Sequence, residues 1–108
     1  MVNFEQGDII YLDFNPQTGH EQKGRRPAII ITNNLFNKYS KMLMVCPITN
    51  TNKNHPFHII LDERTQTTGT ILCDQARTLD ITARNATFIE KAPDAVINKV
   101  INMIKSFI

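Results

Sequence analysis

The amino-acid sequence predicts one mainly β domain, a partly closed antiparallel barrel completed by a helix at its C-terminal end. The first observation is a series of short apolar runs rich in β-branched residues, separated by polar loops too short to hold crossover helices. The second is a change of pattern after residue 92, where apolar residues recur every three or four positions. Because helices do not alternate with the strands, an antiparallel arrangement is favoured over a parallel α/β sheet.

The apolar runs predict six strands, over residues 9–14, 28–32, 43–49, 57–61, 70–75 and 77–81. Residues 28–31 lack polar alternation, which is typical of a central strand covered on both faces. Pro47 cannot donate a ladder hydrogen bond, so its strand is expected at a sheet edge or beside a bulge near Thr49. The Asn-Asn pair at 33–34 is expected to cap one helical turn that follows it.

The C-terminal helix is predicted to begin at Pro93, which suits a first helical position because no N–H is needed there. Polar residues fall on the opposite side of this helix from the apolar ones. The predicted apolar stripe consists of Val96, Ile97, Val100, Ile101, Ile104 and Ile108. This amphipathic helix would close the fold.

The composition indicates a single domain over residues 1–108, without repeats or linkers. The formal net charge of +2 neither requires nor excludes a polyanionic partner. Cys46 and Cys73 lie inside apolar runs and are expected to be buried free thiols in a reducing compartment. A cytoplasmic protein without membrane association is expected, because the sequence shows neither a leader nor an apolar run near the ~20 residues of a membrane span. No D-x-D or H-x-E ligand pair occurs, which favours chemistry without a metal or other cofactor.

The loop at residues 19–27 concentrates polar side chains within reach of a single ligand, and glycines at 19 and 24 permit unusual backbone angles. Its charged and titratable side chains are His20, Glu21, Lys23, Arg25 and Arg26. Pro27 is expected at the first position of the next strand, because it has no N–H to give to a ladder. Arg26 would therefore be held rigidly where the loop meets the strand.

Five blocks of the chain resemble, in order and spacing, the MazF/PemK (Kid) toxins of bacterial toxin–antitoxin pairs. They are Asp13-Phe14-Asn15-Pro16, Gly19-His20-Glu21-Gln22, Gly24-Arg25-Arg26-Pro27, Pro47-Ile48-Thr49 and Asp74-Gln75-Ala76-Arg77-Thr78-Leu79-Asp80. The resemblance runs from about Gly7 to the C-terminus and is closer to the PemK/Kid branch in its Gly-His-Glu-Gln and Thr67-Thr68-Gly69 elements. It implies the SH3-like barrel shared by MazF, PemK and CcdB, and a toxin that cuts single-stranded RNA without a metal.

The resemblance also implies a set of site residues on loops and strand ends. RNA can be cut without a metal if its own 2′-hydroxyl attacks the neighbouring phosphate, which gives a 2′,3′-cyclic phosphate and a 5′-hydroxyl. The implied catalytic residues are Arg26, Thr49, His20 and Asp74. The implied RNA-binding residues are Glu21, Gln22, Lys23, Arg25, Gln75 and Arg77. Because a guanidinium keeps its proton, Arg26 is expected to act electrostatically.

One position departs from the PemK/Kid pattern. Where those toxins carry an arginine two residues before the aspartate, this chain has Leu72. Leucine can neither donate a proton nor hold a charge, so the catalytic burden is expected to fall on Arg26, Thr49 and His20. Asp74 is then expected to have a supporting role.

Each assignment has a plainer structural alternative. Arg26 could be a surface cation in an ion pair, and Thr49 a structural residue at a strand end. Asp74 could accept backbone N–H groups at a corner of the barrel. His55 and His58 are interpreted as ordinary loop and strand residues, since neither is flanked by both a glycine and a carboxylate.

The resemblance implies partners as well as an activity. A homodimer is expected, together with a cognate antitoxin whose acidic, disordered C-terminal segment blocks the RNA groove. Operator DNA would be bound only through the antitoxin complex. The alternative functions are a non-enzymatic, gyrase-poisoning toxin like CcdB and a degenerate RNA-binding barrel. Blocks 24–27 and 74–75 favour the nuclease over CcdB, and Leu72 alone supports the degenerate barrel.

Overall fold

The computed structural model describes residues 3–14, 24–51 and 55–108. The strands are β1 (Asp8–Asp13), β2 (Arg25–Ile30), β3 (Met42–Thr49), β4 (His58–Ile60), β5 (Thr70–Leu72), β6 (Arg77–Asp80) and β7 (Thr87–Lys91). The α-helices are α1 (Asn34–Tyr39) and α2 (Asp94–Lys105), and short 3-10 helices include Cys73–Gln75 and Ile81–Arg84. Within the described ranges no helix has the length and apolar character needed to cross a membrane.

The described strands form one antiparallel sheet in the order β4-β5-β3-β2-β1-β7, with β6 paired to β3. β3 is the longest strand and changes partner along its length, because residues 42–45 pair with β6 and residues 48–49 pair with β5. β4 and β7 stand at the two ends of the order, so this sheet is open. The predicted mainly β fold with a C-terminal helix is confirmed, but the sheet does not close into a barrel.

Side chains alternate along each strand, and this divides the core between the two faces of the sheet. One face of the sheet is covered by α2 and is called the helix face. It carries a buried cluster in which Ile29, Ile48 and Ile71 pack with side chains of α2. The second face carries another buried cluster, which includes Ile10, Ala28, Ile30 and Val45. β2 contributes to both clusters. This explains why residues 28–31 lack polar alternation, and the predicted central strand is confirmed.

α2 follows its N-cap, Pro93, and packs on the helix face through the buried side chains of Val96, Ile97 and Val100. Burying one such side chain contributes about 1.5–3 kcal/mol relative to leaving it exposed. The predicted amphipathic helix is therefore confirmed. Ile108 lies beyond its last helical residue and is 92% exposed, so it does not belong to the apolar stripe.

The predicted edge position of Pro47 is wrong. β3 is an internal strand, and Pro47 pairs with Ala28 of β2. On the other side of β3, pairing with β6 ends at Val45 and pairing with β5 begins at Ile48. Pro47 lies between these two pairings, so its missing N–H interrupts neither of them. Among the described pairings the register shift lies between Ile9 and Ile10, where β1 meets β7, and not near Thr49.

Two strand predictions also differ from the structure. The strand predicted over residues 70–75 ends at Leu72, and a 3-10 helix follows it. Asp74 therefore lies on a tight turn. β7 has no counterpart in the sequence prediction, and it pairs with β1 while Phe88 and Ile89 stay exposed.

Two smaller predictions are confirmed. α1 forms the short helix expected after the Asn-Asn pair, and the Asn33 side chain accepts the N–H of Phe36 at 2.9 Å. Cys46 and Cys73 are buried free thiols. The neighbouring Cys73 and burial together raise the pKa of the Cys46 thiol, which keeps it uncharged in the core.

Candidate active site

The strand register brings Arg26 and Thr49 together at one end of the sheet. β2 pairs with β3 through Ala28 and Pro47, and continuing this antiparallel register by two residues places Arg26 opposite Thr49. Arg26 is the second residue of β2, and Thr49 is the last residue of β3. Directly opposite residues share a face of the sheet. Both side chains therefore lie on the second face, beyond the buried cluster that contains Ala28.

The same rule adds Leu72 and His58 to this group. β5 pairs with Thr49 through Thr70, and Leu72 follows two residues later on the same face. Leu72 in turn pairs with His58, the first residue of β4. Four strands thus place four neighbouring side chains on one face of the sheet.

These side chains line a cleft of about 330 Å³. Its lining residues are Arg26, Thr49, Thr51, His58, Leu72 and Gln75. This volume lies at the lower end of the range for small-ligand pockets, about 300–1,000 Å³. The cleft lies beyond the buried apolar cluster of the second face. Polar groups from β2, from the end of β3, from β4 and from the turn after β5 line it.

His58 and Asp74 form a hydrogen-bonded pair at the rim of the cleft. Nε2 of His58 lies 2.9 Å from Oδ1 of Asp74. The His58 side chain is 9% exposed and the Asp74 side chain 35% exposed, so water reaches the carboxylate more easily than the imidazole. The interpretation of His58 as an ordinary strand residue missed this pair, because the pair depends on the β4–β5 register and the turn after Leu72.

The end of β3 is held by close backbone contacts. Oγ1 of Thr49 accepts the N–H of Thr51 at 3.3 Å, which leaves the Thr49 hydroxyl hydrogen available to donate to a ligand. Gly69 has φ +126°, and a Cβ added there would lie 2.6 Å from the backbone oxygen of Thr49. Only glycine therefore permits this approach of the 61–69 loop to β3.

Glu90 of β7 anchors that loop. Its carboxylate accepts the N–H of Gln66 at 3.1 Å, and the N–H and hydroxyl of Thr67 at 2.7 and 2.6 Å. Burial opposes ionisation of this carboxyl, but the hydrogen bonds together lower the pKa of Glu90 below its ordinary value near 4.5. The loop that positions Thr49 is thus tied to the far edge strand.

Arg25 points away from Arg26, since consecutive residues of a strand lie on opposite faces. Nη1 of Arg25 donates to Oδ1 of Asp13 at 3.2 Å, and its guanidinium lies 4.7 Å from the centre of the Tyr11 ring. Hydrogen bonds from Asn85 and Arg25 lower the pKa of Asp13. The structure therefore gives Arg25 partners within the protein and does not bring it into the cleft.

The remaining predicted residues divide into three groups. Gln75 lines the cleft, as its place beside Asp74 suggests. Arg77 lies in β6 with its guanidinium 5.7 Å from the centre of the Phe14 ring, outside the cleft lining. His20, Glu21, Gln22 and Lys23 lie outside the residues that the structure describes.

The fold also brings a distant carboxylate to two histidines that are close in sequence. Donor atoms of His55, His58 and Asp74 all lie within 4.8 Å of one another. His55 and His58 lie three residues apart, whereas Asp74 comes from the turn after β5, sixteen residues beyond His58. The approach of Asp74 to the two histidines is visible only in three dimensions.

The cleft combines three kinds of chemical group that a phosphodiester cleavage needs. Arg26 supplies a permanent positive charge, and Thr49 supplies a neutral hydrogen-bond donor. The His58–Asp74 pair supplies an imidazole, the side chain that most often serves as a general acid or base, held by a carboxylate.

Comparisons with known proteins show the family to which this chain belongs. Residues 5–108 match the family described as PemK-like, MazF-like toxin of type II toxin-antitoxin system. The chain belongs to this family. The resemblance drawn from the five sequence blocks is thereby confirmed, and the match favours it over the CcdB-like alternative.

Relatives of this toxin match along nearly its whole length. Endoribonuclease PemK of Escherichia coli is 34% identical over 98% of this chain and 83% of its own. The crystal structure of MazF (Form-I) from Deinococcus radiodurans has a TM-score of 0.87 and 33% identity, covering 99% of this chain and 97% of its own. A MazE–MazF structure (Form-III) from the same organism has a TM-score of 0.87 and 30% identity, covering 98% and 96%.

Proposed function

We propose that this toxin is an endoribonuclease that cleaves single-stranded RNA, with the 2′-hydroxyl of the substrate as the nucleophile and no metal ion in the reaction. The observation that carries the proposal is the convergence of Arg26, Thr49 and the His58–Asp74 pair on one cleft. The name of the relative PemK as an endoribonuclease supports the same activity. By cutting messenger RNA the toxin would stop translation and growth.

The bond changes assign a task to each part of the cleft. The 2′-oxygen attacks the phosphorus, the bond from phosphorus to the 5′-oxygen breaks, and a 2′,3′-cyclic phosphate and a 5′-hydroxyl result. One proton must leave the 2′-hydroxyl and one must reach the 5′-oxygen. Negative charge grows on the non-bridging phosphate oxygens between these events, and fixed donors stabilise it.

Arg26 and Thr49 are assigned to the phosphate oxygens. They lie opposite each other across the β2–β3 register, so both can reach one phosphate from adjacent strands. A guanidinium forms charge-assisted hydrogen bonds to phosphate and keeps its proton throughout, which makes its contribution electrostatic. The hydroxyl of Thr49 adds a second donor.

His58 is assigned to one of the two proton transfers, and Asp74 orients it. In the PemK/Kid pattern an arginine occupies the position of Leu72, and His58 is the directly opposite residue on the neighbouring strand. Side chains that face each other in this way occupy adjacent space, with Cβ atoms about 4.5–5.5 Å apart. His58 therefore places a titratable group beside Asp74 where Leu72 cannot supply one. His20, on sequence grounds, is assigned to the other transfer.

The remaining assignments concern recognition and control. Gln75 contacts RNA from within the cleft, and the sequence adds further RNA contacts from Glu21, Gln22, Lys23 and Arg77. The toxin acts in the cytoplasm as a homodimer, and an acidic antitoxin segment occupies the cleft. The MazE–MazF structures from Deinococcus radiodurans support such a partner. Binding to operator DNA occurs only through the antitoxin complex.

The proposal is tested with purified toxin and a mixed pool of single-stranded RNA in excess EDTA. Cleavage is expected, with 2′,3′-cyclic phosphate and 5′-hydroxyl ends, and mapping of the cut sites gives the sequence preference. A requirement for Mg²⁺, or products with 5′-phosphate ends, would contradict the mechanism. RNA that stays intact under all conditions would contradict the activity.

A further inference from the structure

His55, His58 and Asp74 form a compact group of donors at the rim of the cleft. Their donor atoms lie within 4.8 Å of one another, and Nε2 of His58 is already 2.9 Å from Oδ1 of Asp74. The two imidazole rings stack with their centres 4.4 Å apart and their planes inclined by 26°. Two imidazole nitrogens and a carboxylate oxygen thus lie within a few ångströms of one another.

We propose that these three residues bind a divalent transition metal ion such as Zn²⁺, and that the bound ion stops RNA cleavage. Two imidazole nitrogens and one carboxylate oxygen form a donor set that suits zinc, cobalt or nickel, whereas Mg²⁺ and Ca²⁺ prefer oxygen ligands alone. Three protein ligands leave a fourth position of a tetrahedral ion to water. The site is open to solvent, since His55 and Asp74 are exposed.

The ion would take the place of the proton that His58 and Asp74 share. For two ligands at about 2.0 Å from a tetrahedral ion, the ligand atoms are about 3.3 Å apart. The observed 2.9 Å between Nε2 and Oδ1 needs to open by only a few tenths of an ångström. An imidazole coordinates a metal through an unprotonated nitrogen, so the hydrogen between Nε2 and Oδ1 must leave that position, to Nδ1 or to water, when the ion binds.

His55 can join this ion by turning its ring, because ligand atoms up to 4.8 Å apart must close to about 3.3 Å. Its Nδ1 accepts the N–H of Phe57 at 3.2 Å, and this bond is exposed. Water can take over that N–H when the imidazole lone pair turns to the ion. The positive charge of Arg26 in the same cleft opposes a cation, so binding depends on all three ligands.

The inhibitory half of this inference rests on the proposed function. An ion on Nε2 of His58 occupies the atom that faces Asp74, so the pair can no longer transfer a proton. His55 has no part in the proposed cleavage. Its removal therefore separates metal binding from catalysis.

The binding test uses metal-free toxin titrated with Co²⁺, whose visible absorption reports ligation, and with Zn²⁺ in competition. The wild type is expected to bind one ion per chain, and His55→Gln is expected to bind at least about tenfold more weakly. Asp62→Asn, which alters an exposed carboxylate paired with Arg64, is the control and is expected to bind like the wild type. Equal Co²⁺ affinity of wild type and His55→Gln, or no binding by the wild type, would overturn the site.

The activity test measures RNA cleavage against Zn²⁺ concentration. His55→Gln is expected to cleave like the wild type in EDTA and to need at least about tenfold more Zn²⁺ for half-inhibition. Added EDTA should restore the wild type. Normal cleavage by toxin saturated with Zn²⁺ would overturn the inhibition. Toxin that binds Co²⁺ through His55 but never cleaves RNA would instead contradict the proposed nuclease and leave the metal site supported.

Discussion

Replacing His58 by Gln tests the proton-transfer assignment most directly. Glutamine keeps a polar side chain of similar reach opposite Leu72 but cannot carry a proton between reaction partners. A positioned general acid or base contributes about 10²–10⁴-fold to a rate. His58→Gln is therefore expected to lower the single-turnover rate by that factor, whereas the neighbouring His55→Gln leaves it unchanged in EDTA.

Asp74 is expected to act through His58, because its Oδ1 lies 2.9 Å from Nε2 of His58. Asp74→Asn should reduce the rate roughly tenfold, the scale of a repositioned group rather than a lost one. In a protein that already carries His58→Gln, the same change should cost almost nothing further. Residues that act as one unit show this non-additivity.

The assay is single-turnover cleavage of one RNA oligonucleotide by the two single mutants and the double mutant, in EDTA. Circular dichroism melts show whether each variant folds, and Asp62→Asn serves as the matched aspartate control. Additive losses would show that Asp74 works independently of His58. A fully active His58→Gln would refute the assignment, and a dead Asp74→Asn beside it would make Asp74 the base in its own right.

Four further outcomes are expected. Arg26→Ala should lose at least about 10²–10³ in single-turnover rate while the protein still folds, because one fixed donor to developing charge is removed; a rate within threefold of wild type would contradict this. Glu90→Gln should weaken the hydrogen bonds to Thr67 and destabilise the fold by about 2 kcal/mol, or roughly 10 °C in Tm. Because the pKa of Glu90 is lowered, this contribution should be present above pH 4.5 and disappear as the pH falls through the folded-state pKa, so the mutant and wild-type Tm values should converge in acid. Gly69→Ala should destabilise by more than about 1 kcal/mol and lower the rate, because its Cβ meets the backbone oxygen of Thr49; a normal Tm would refute the close approach. Light scattering at micromolar concentration should give twice the chain mass, and a monomeric mass would count against the dimer.

Most of the fold could be predicted because apolar pattern and core position coincide. Residues 28–31 are apolar throughout, and they fill both faces of an internal strand. The spacing of apolar residues in α2 matched the stripe that it buries. β7 was not predicted because Phe88 and Ile89 remain exposed on an edge strand, where burial imposes no alternation.

Local rules failed where tertiary context overrides them. Because proline interrupts a ladder, the sequence predicts an edge strand at Pro47, yet β3 changes its partner at this point and tolerates the interruption. The apolar run of β5 continues into Cys73, so the pattern extends the strand past Leu72, where the chain turns. The position of Pro47 and the end of β5 both depend on how the strands pair, and the residues of one strand alone do not determine its pairing.

Some residues of the candidate site can be identified from the sequence, whereas others can be identified only from the strand pairing. Arg26 and Thr49 could be named from motif resemblance, and the β2–β3 register places them opposite each other. His58 could not be identified from the sequence, because its role depends on which residue of β5 lies opposite it. A slip of one residue would move His58 to the helix face and away from Leu72.

The β4–β5 register is held by burial on the other side of the sheet. Ile59 pairs with Ile71, and both lie in the apolar cluster under α2, with 6% and 0% of their surfaces exposed. A slip would expose these two side chains and bury the polar ones, at about 1.5–3 kcal/mol for each apolar side chain lost. The packing of two isoleucines on the helix face therefore fixes the position of His58 beside Asp74 on the second face. Ile59→Ala should accordingly lower the melting temperature and, if the fold persists, also lower the cleavage rate without touching the cleft.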